Sequence, residues 1–201
     1  MCVVANYAVE DVLSETVMRR CFNHTNIESG ASLGREGFGY LKRIAPALNN
    51  SAAGVPYVML TDLDQVGCPP DLLADWMGTI PIHPDFLLRV AVKEVEAWIL
   101  ADRKGLARYL GVPQANFPRV FEQLPDPKHE LLMVARRSRH RRIREDIVAE
   151  TAHGPVQGPD YNGSLSRFVT DQWDIDEAAV QCPSLRKMLG RLEELRERKL
   201  A

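Results

Sequence analysis

VPYVMLTDLD, at positions 55–64, joins the most apolar run of the chain to two carboxylates. An almost entirely apolar run of this length is typical of a central strand in a parallel sheet, because both faces of such a strand are buried. In open α/β sheets, ligands bind in the crevice beyond the carboxyl ends of the strands. This stretch therefore predicts an α/β fold, and it indicates where chemistry would take place.

The segments around this strand continue an alternation of strands and helices. Apolar runs predict further strands, and helical spacing of apolar residues predicts helices, with strands at 2–9 and 85–92 and helices at 11–22, 68–77 and 94–102. Residues 26–50 contain four glycines, at positions 30, 34, 37 and 39, which indicates a loop before a short helix around Tyr40–Leu48. This alternation predicts a mostly parallel sheet that is flanked by helices.

The second half of the chain differs from the first. From residue 105 onward only helical periods are recognisable, and several prolines interrupt them. We therefore expect an α/β core over residues 1–103. An α-helical extension over residues 104–201 would pack on this core to form one structural unit.

The composition is that of an ordinary globular protein. The chain has 201 residues, of which 45% are apolar and 26% are charged, and its net charge is −2. These values exclude collagen-like, coiled-coil and mostly disordered proteins. No apolar run approaches the roughly 18 residues that a membrane span needs, and the first residues do not resemble a signal peptide. Four cysteines without a CxxC pair indicate reduced thiols, so we expect a cytoplasmic protein with no membrane partner.

Acidic residues follow two of the predicted strands. In an extended chain the side chains of Asp62 and Asp64 would point the same way, as ligands of a divalent cation do. The alternative is that the two aspartates simply form a polar turn after the strand. Glu10 ends the first strand and should lie near them, because parallel strands end at the same edge. Glu15, in the first turn of the next helix, could reach the same place or simply complement the helix dipole.

A third acidic group, Glu94 and Glu96, follows the predicted strand at 85–92. Both side chains would face one way in an extended chain, but only one could serve as a ligand if the helix has already begun. The sequence leaves open which of the two it is. Glu96 lies in an apolar run, and burial of its charge requires a metal, a lysine or an arginine beside it.

This acidic pattern resembles the TOPRIM domain of topoisomerases, primases and OLD-type nucleases. Nearly the whole chain is more narrowly similar to the TOPRIM-like domain of unknown function 4276, through the blocks AVEDVLSE, VMLTDLD, CPPDL, RVAVKEVEAWILAD, DPKHELL, GPDYNGSLSRFV and CPSLRKML. The resemblance implies a TOPRIM-like fold, with Glu10, Asp62 and Asp64 as ligands of Mg²⁺, for which Mn²⁺ can substitute. Glu15 matches the second glutamate of the OLD-type pattern.

The same resemblance implies phosphodiester cleavage. Bacterial members of the family often accompany an ATPase in anti-phage modules, which implies nucleic acid and a partner ATPase as partners. One departure is Asp11, which stands where a glycine often follows the first glutamate and adds a negative charge. Lys128, in the DPKHELL block, is a candidate to neutralise charge at the scissile phosphate, although it could equally be a solvated lysine.

Six arginines between residues 136 and 144 form the main basic cluster. On a continuous helix, Arg137, Arg141 and Arg144 would share one face that could bind nucleic-acid phosphates. The alternative is a solvated helix face that is paired with nearby acidic residues.

These patterns together favour a Mg²⁺-dependent nuclease in an anti-phage module. Two other functions stay open: a haloacid-dehalogenase-type phosphatase with Asp62 as nucleophile, and a non-catalytic TOPRIM-like subunit that binds a partner or nucleic acid. The choice between DNA and RNA also stays open, as does homo-oligomerisation.

Overall fold

The computed structural model describes residues 2–64 and 66–201, and the chain forms two compact units. Unit 1 comprises Met1–Val92 and Ser184–Ala201, and unit 2 comprises Lys93–Pro183. This division differs from the predicted boundary at residue 103. Unit 2 begins at Lys93, eleven residues before the start of the predicted extension, and the end of the chain returns to unit 1.

Unit 1 alternates strands with helices and ends on a long helix. Its elements are β1 (Val3–Val9), α1 (Val12–His24), β2 (Ile27–Gly34), α2 (Phe38–Ser51), β3 (Tyr57–Asp62), α3 (Pro69–Met77), β4 (Phe86–Ala91) and α10 (Pro183–Leu200). The chain leaves this unit after Val92 and returns at Ser184. These two points are adjacent, since the Val92 amide donates a hydrogen bond to Ser184 Oγ at 3.3 Å.

The strands of unit 1 form a four-stranded, all-parallel sheet in the order β2-β1-β3-β4. The predicted α/β class, with a parallel sheet flanked by helices, is therefore confirmed. On one face, Met59 and Leu88 pack with Leu41 of α2 and Trp76 of α3. On the other face, Tyr7 of β1 makes an edge-to-face contact with Phe22 of α1. With both faces covered, β3 is almost completely buried, as its apolar sequence predicts.

Strand β2 occupies a segment for which the sequence predicts a loop. The parallel register of β1 with β2 shifts between Ala5 and Tyr7, and the side chain of Asn6 accepts a hydrogen bond from the Ala31 amide at 2.8 Å. A Cβ atom at Gly30 would lie 2.4 Å from the Asn6 side-chain oxygen. This glycine therefore permits the close approach of two strands, and it does not mark a loop.

Unit 2 is mostly helical, as predicted, but it also contains a small antiparallel hairpin. Its elements are α4 (Val95–Ala101), α5 (Arg103–Leu110), a 3₁₀ turn (Gln114–Asn116), α6 (Pro127–Ala135), α7 (Arg141–Ile147), β5 (Val148–Thr151), β6 (Gly154–Gln157), α8 (Tyr161–Asp171) and α9 (Ile175–Gln181). The expectation of helices alone is wrong here, because strands of four residues are too short to show a clear period of two. No helix in the described part of the chain is long and apolar enough to cross a membrane.

Candidate functional site

The carboxyl ends of β1 and β3 form the centre of the candidate site. The two strands are parallel neighbours, and Val9 is paired with Leu60. Glu10 and Thr61 therefore follow at the same edge of the sheet. Immediately afterwards the side chain of Asp11 caps α1 by accepting a hydrogen bond from the Ser14 amide at 2.8 Å, so Glu10 stands between the end of a strand and the start of a helix.

The carboxylate of Glu10 is held by neutral donors on the neighbouring strand. The Thr61 hydroxyl donates to Oε1 at 2.5 Å, and the Asp62 amide donates to the same oxygen at 2.8 Å. Burial raises the pKa of Glu10, and the negative charges of Asp11 and Asp64 add to the rise, although the two hydrogen bonds oppose it. A group of carboxylates that repel one another in this way gains stability from a bound cation.

Asp64 does not continue the strand, contrary to the sequence-based expectation that it points the same way as Asp62. β3 ends at Asp62, Leu63 is buried, and the backbone of Asp64 is left-handed with φ of 52°. Aspartate is one of the few residues that tolerate this conformation. The prediction that Asp62 and Asp64 point the same way along an extended chain is therefore wrong. The charge of Asp64 nevertheless acts on Glu10.

The side chains at this edge do not form a finished metal cage. Among residues 2–64 and 66–201, no three His, Cys, Asp or Glu side chains are arranged so that they could hold a metal ion. A shared ion would therefore require some rearrangement of the side chains at this edge. Both hydrogen bonds to Glu10 use Oε1, and within the described residues none reaches Oε2, which leaves that oxygen for a ligand.

Glu15, the fourth predicted ligand in unit 1, is engaged elsewhere. Tyr7 donates its hydroxyl to Glu15 Oε1 at 2.8 Å, and Arg35 Nε lies 2.5 Å from Oε2. Burial raises the pKa of this carboxyl, but the bonds from Arg35 and Tyr7 outweigh it, so the net pKa is lowered. Because both oxygens already meet protein donors, these contacts favour a structural ion pair for Glu15.

Glu94 and Glu96 belong to unit 2, where both approach Lys128. The ammonium group of Lys128 lies 3.5 Å from Glu94 Oε1 and 3.7 Å from Glu96 Oε1, and the Lys128 amide donates to Glu94 Oε2 at 2.9 Å. Glu94 has an extended backbone just before α4, and Glu96 lies in its first turn. Lys128 is thus the cation that the sequence requires beside Glu96.

Glu96 is the most strongly perturbed carboxyl in this cluster. Its side chain is only 3% exposed, and the Tyr161 hydroxyl donates to Oε1 at 2.9 Å. Oε2 is buried, and among the described residues it has no hydrogen-bond partner. Burial raises the pKa of Glu96 to about 7; the charge of Glu94 adds to the rise and that of Lys128 opposes it. The carboxyl can therefore gain or lose a proton near neutral pH.

The predicted arginine stripe is interrupted. Helix α7 begins at Arg141, so Arg137 precedes it and cannot share its face. Arg141 is exposed and pairs with Glu145 at 2.8 Å, one turn along the helix, while Arg144 donates to the Ser138 carbonyl at 2.8 Å. The prediction of one continuous helical face is wrong, because the chain turns between α6 and α7. Arg137 and Arg141 stay at the surface.

Two residues of these clusters were not predicted as site residues. Thr61 holds the Glu10 carboxylate through its hydroxyl. The sequence feature that could have pointed to this role is a hydroxyl residue directly before the first aspartate, at the end of an otherwise apolar strand. Tyr161 reaches Glu96 from 65 positions along the chain, and no local pattern could reveal that contact.

The edge of unit 1 thus offers oxygen ligands in a partly dry environment, which is the donor set that Mg²⁺ and Mn²⁺ accept. The cluster of unit 2 offers a lysine and a carboxyl that titrates near neutral pH. No protein-family model, curated protein or solved structure matches the chain, so its function has to be argued from these residues.

Proposed function

We propose that this protein is a Mg²⁺-dependent nuclease, with Glu10, Asp62 and Asp64 as the metal ligands. The observation that supports this best is the Glu10 carboxylate, which Thr61 and the Asp62 amide hold at the carboxyl edge of the two central strands. Burial raises the pKa of Glu10 most, and the charges of Asp11 and Asp64, which add to the rise, are those that a divalent cation would neutralise. The resemblance to TOPRIM-like domains supports the same assignment.

The residues at this edge fit a hard cation. All three candidate ligands carry carboxylate oxygens, and the hydrogen bonds to Oε1 orient Glu10 so that Oε2 remains for coordination. A bound Mg²⁺ or Mn²⁺ would supply an activated water and would neutralise charge on a phosphodiester. Exposed arginines such as Arg137 and Arg141 would hold the nucleic-acid backbone.

A role in anti-phage defence completes the proposal. The resemblance to the TOPRIM-like domain of unknown function 4276 supports a bacterial defence module, in which this chain is the effector and an ATPase is its partner. Nuclease activity that depends on this partner would agree with the absence, among the described residues, of three side chains already arranged to hold a metal ion.

A cleavage assay tests the proposal. Labelled DNA and RNA are incubated with the protein in Mg²⁺, Mn²⁺ or EDTA, with and without the partner ATPase. We expect cleavage that requires metal and that is lost in Asp62→Asn. Asp75→Asn is the matched control, because Asp75 forms an exposed pair with Lys42 on α2 and its loss should leave cleavage intact. Cleavage in EDTA, or equal cleavage by both variants, would contradict the assignment.

A non-catalytic nucleic-acid-binding subunit is the second candidate. The observation that favours it is the lack of a finished three-ligand group in the described residues. Metal-independent binding of nucleic acid, without cleavage under any of these conditions, would support this function. A phosphorylated Asp62 after incubation with a phosphomonoester would instead indicate a haloacid-dehalogenase-type phosphatase.

A further inference from the structure

Unit 2 contains an open cavity of about 500 Å³ that neither acidic cluster uses. Its polar lining comes from α5, the 3₁₀ turn and the turn before α7, and it consists of Lys104, Arg108, Gln114, Arg139 and His140. None of the described residues that line the cavity carries a carboxylate. Among the residues that the structure describes, no acidic side chain lies within 4.0 Å of the charged groups of Lys104, Arg108 or Arg139, so their charges are not compensated.

The placement of Lys104 has no evident benefit for stability, whereas Arg108 lies in the last turn of α5, where a cation complements the helix dipole. Lys104 and Arg108 are exposed and lie four residues apart on α5, where like charges destabilise a helix. Lys104 also lies in the first turn, near the positive end of the helix dipole. Like charges that a fold keeps close together on one helix, although their repulsion destabilises it, commonly bind an anion.

The opposite wall of the cavity is fixed to the end of α5. The Ser138 hydroxyl donates to the Leu110 carbonyl at 2.6 Å, and the His140 amide donates to Ser138 Oγ at 3.1 Å. Arg144 donates to the Ser138 carbonyl at 2.8 Å. These bonds hold the turn that carries Arg139 and His140, so the cavity is largely preformed.

The end of α5 is arranged so that it would not repel an anion. The Val112 amide binds the Ala107 carbonyl at 2.9 Å, and Ser138 covers the Leu110 carbonyl. Gly111 is left-handed with φ of 64°, and a Cβ atom there would lie 2.7 Å from His140 Nε2, so the imidazole rests directly on this glycine. The negative end of the helix is therefore capped, and donor groups line the cavity instead.

We infer that this cavity binds a terminal phosphate group, carried either by a mononucleotide or by the end of a nucleic-acid strand. Three uncompensated positive charges match a phosphomonoester, which carries close to two negative charges, better than they match a phosphodiester with one. The volume is in the range of small-ligand sites. All lining residues belong to unit 2, so the inference does not depend on the proposed metal site of unit 1.

The test measures binding of four probes in EDTA, which prevents metal-dependent cleavage. The probes are inorganic phosphate, adenosine monophosphate, and one short DNA oligonucleotide with and without a 5′-phosphate. Arg108→Gln and Arg139→Gln should each weaken binding of the phosphomonoester probes by about tenfold or more, because each removes a charge-assisted contact. Arg142→Gln is the matched control, since Arg142 is equally exposed but does not line the cavity.

The four probes separate the sources of the phosphate. Binding of the 5′-phosphorylated oligonucleotide well above the unphosphorylated one would establish a strand end as ligand. Binding of adenosine monophosphate with equal, weak binding of both oligonucleotides would establish a mononucleotide. Equal, tight binding of both oligonucleotides would overturn the inference, because it indicates a phosphodiester contact. It would also be overturned if no probe bound, or if Arg142→Gln weakened binding as much as Arg108→Gln. Lys104→Gln replaces any variant whose melting temperature falls.

Discussion

Glu96→Gln is the perturbation that isolates the buried carboxyl of unit 2. The pKa of Glu96 is about 7 in the folded protein, compared with 4.5 for an ordinary glutamate. Between these two values the folded protein binds more protons than the unfolded chain does. The free energy of unfolding must therefore fall as the pH rises through this window. For one group with this shift, the fall is roughly 2–3 kcal/mol between pH 5 and pH 8.

Glutamine has nearly the same shape as glutamate and no proton to lose, so the variant should lack this contribution. Urea unfolding at pH 5 and pH 8 would be followed by tryptophan fluorescence, because Trp98 and Trp173 are both buried in unit 2. We expect Glu96→Gln to gain roughly 2–3 kcal/mol relative to the parent protein over that interval. Glu177→Gln is the control, since Glu177 is an exposed carboxyl on α9 of the same unit.

A difference between parent and variant that stays the same at both pH values would refute this reasoning. It would mean that Glu96 keeps its charge throughout, stabilised by Lys128 and Tyr161 more strongly than burial opposes it. A loss of stability of the same size in Glu96→Gln at both pH values would be the clearest form of this result, because the variant would then have lost a favourable ion pair.

Three further predictions concern the candidate site and the arginines. The double variant Asp62→Asn with Asp64→Asn should melt no lower than the parent in EDTA. Mg²⁺ at a hundredfold excess over Kd should stabilise only the parent, by about 2.7 kcal/mol, and an equal response of both proteins would place the cation elsewhere. Thr61→Val should lower the free energy of unfolding by about 1.5–3 kcal/mol at a pH well above the raised pKa of Glu10, and by less at a pH below that pKa. A loss that is the same under both conditions in urea titrations would assign Thr61 to packing alone. Arg137→Gln with Arg141→Gln should lower the slope of log K against log salt for nucleic-acid binding by about one per lost contact, whereas an unchanged slope would assign both to the solvated surface.

The central strands could be predicted because burial on both faces leaves an unmistakable apolar run. β3 and β4 lie where the sequence places them, and the proline pair at 69–70 starts α3. β2 was missed because its glycine and serine residues resemble a loop. What makes it a strand is its pairing with β1 and the side chain of Asn6, which are contacts between distant residues.

The candidate site was predictable in position but not in geometry. The rule that parallel strands end at one edge correctly places Glu10 beside Asp62, which its hydrogen bond to the Asp62 amide confirms. The left-handed turn at Asp64 could not be anticipated, because an Asp-x-Asp pattern fits an extended chain and a turn equally well. The break between Arg137 and Arg141 depends on Ser138, whose bond to the distant Leu110 no local period reveals.

The return of the chain to unit 1 at Ser184 has a consequence for the order of folding during synthesis. The sheet and α10 belong to one compact unit, yet the ribosome must make all of Lys93–Pro183 between them. At 5–20 residues per second this takes roughly 5 to 18 seconds. In the folded protein, Arg89 on β4 lies near Arg191 and Glu194 of α10. During synthesis of unit 2, this side of the sheet lacks α10. Unit 2 is complete before α10 emerges, so it can fold before unit 1 acquires its last helix.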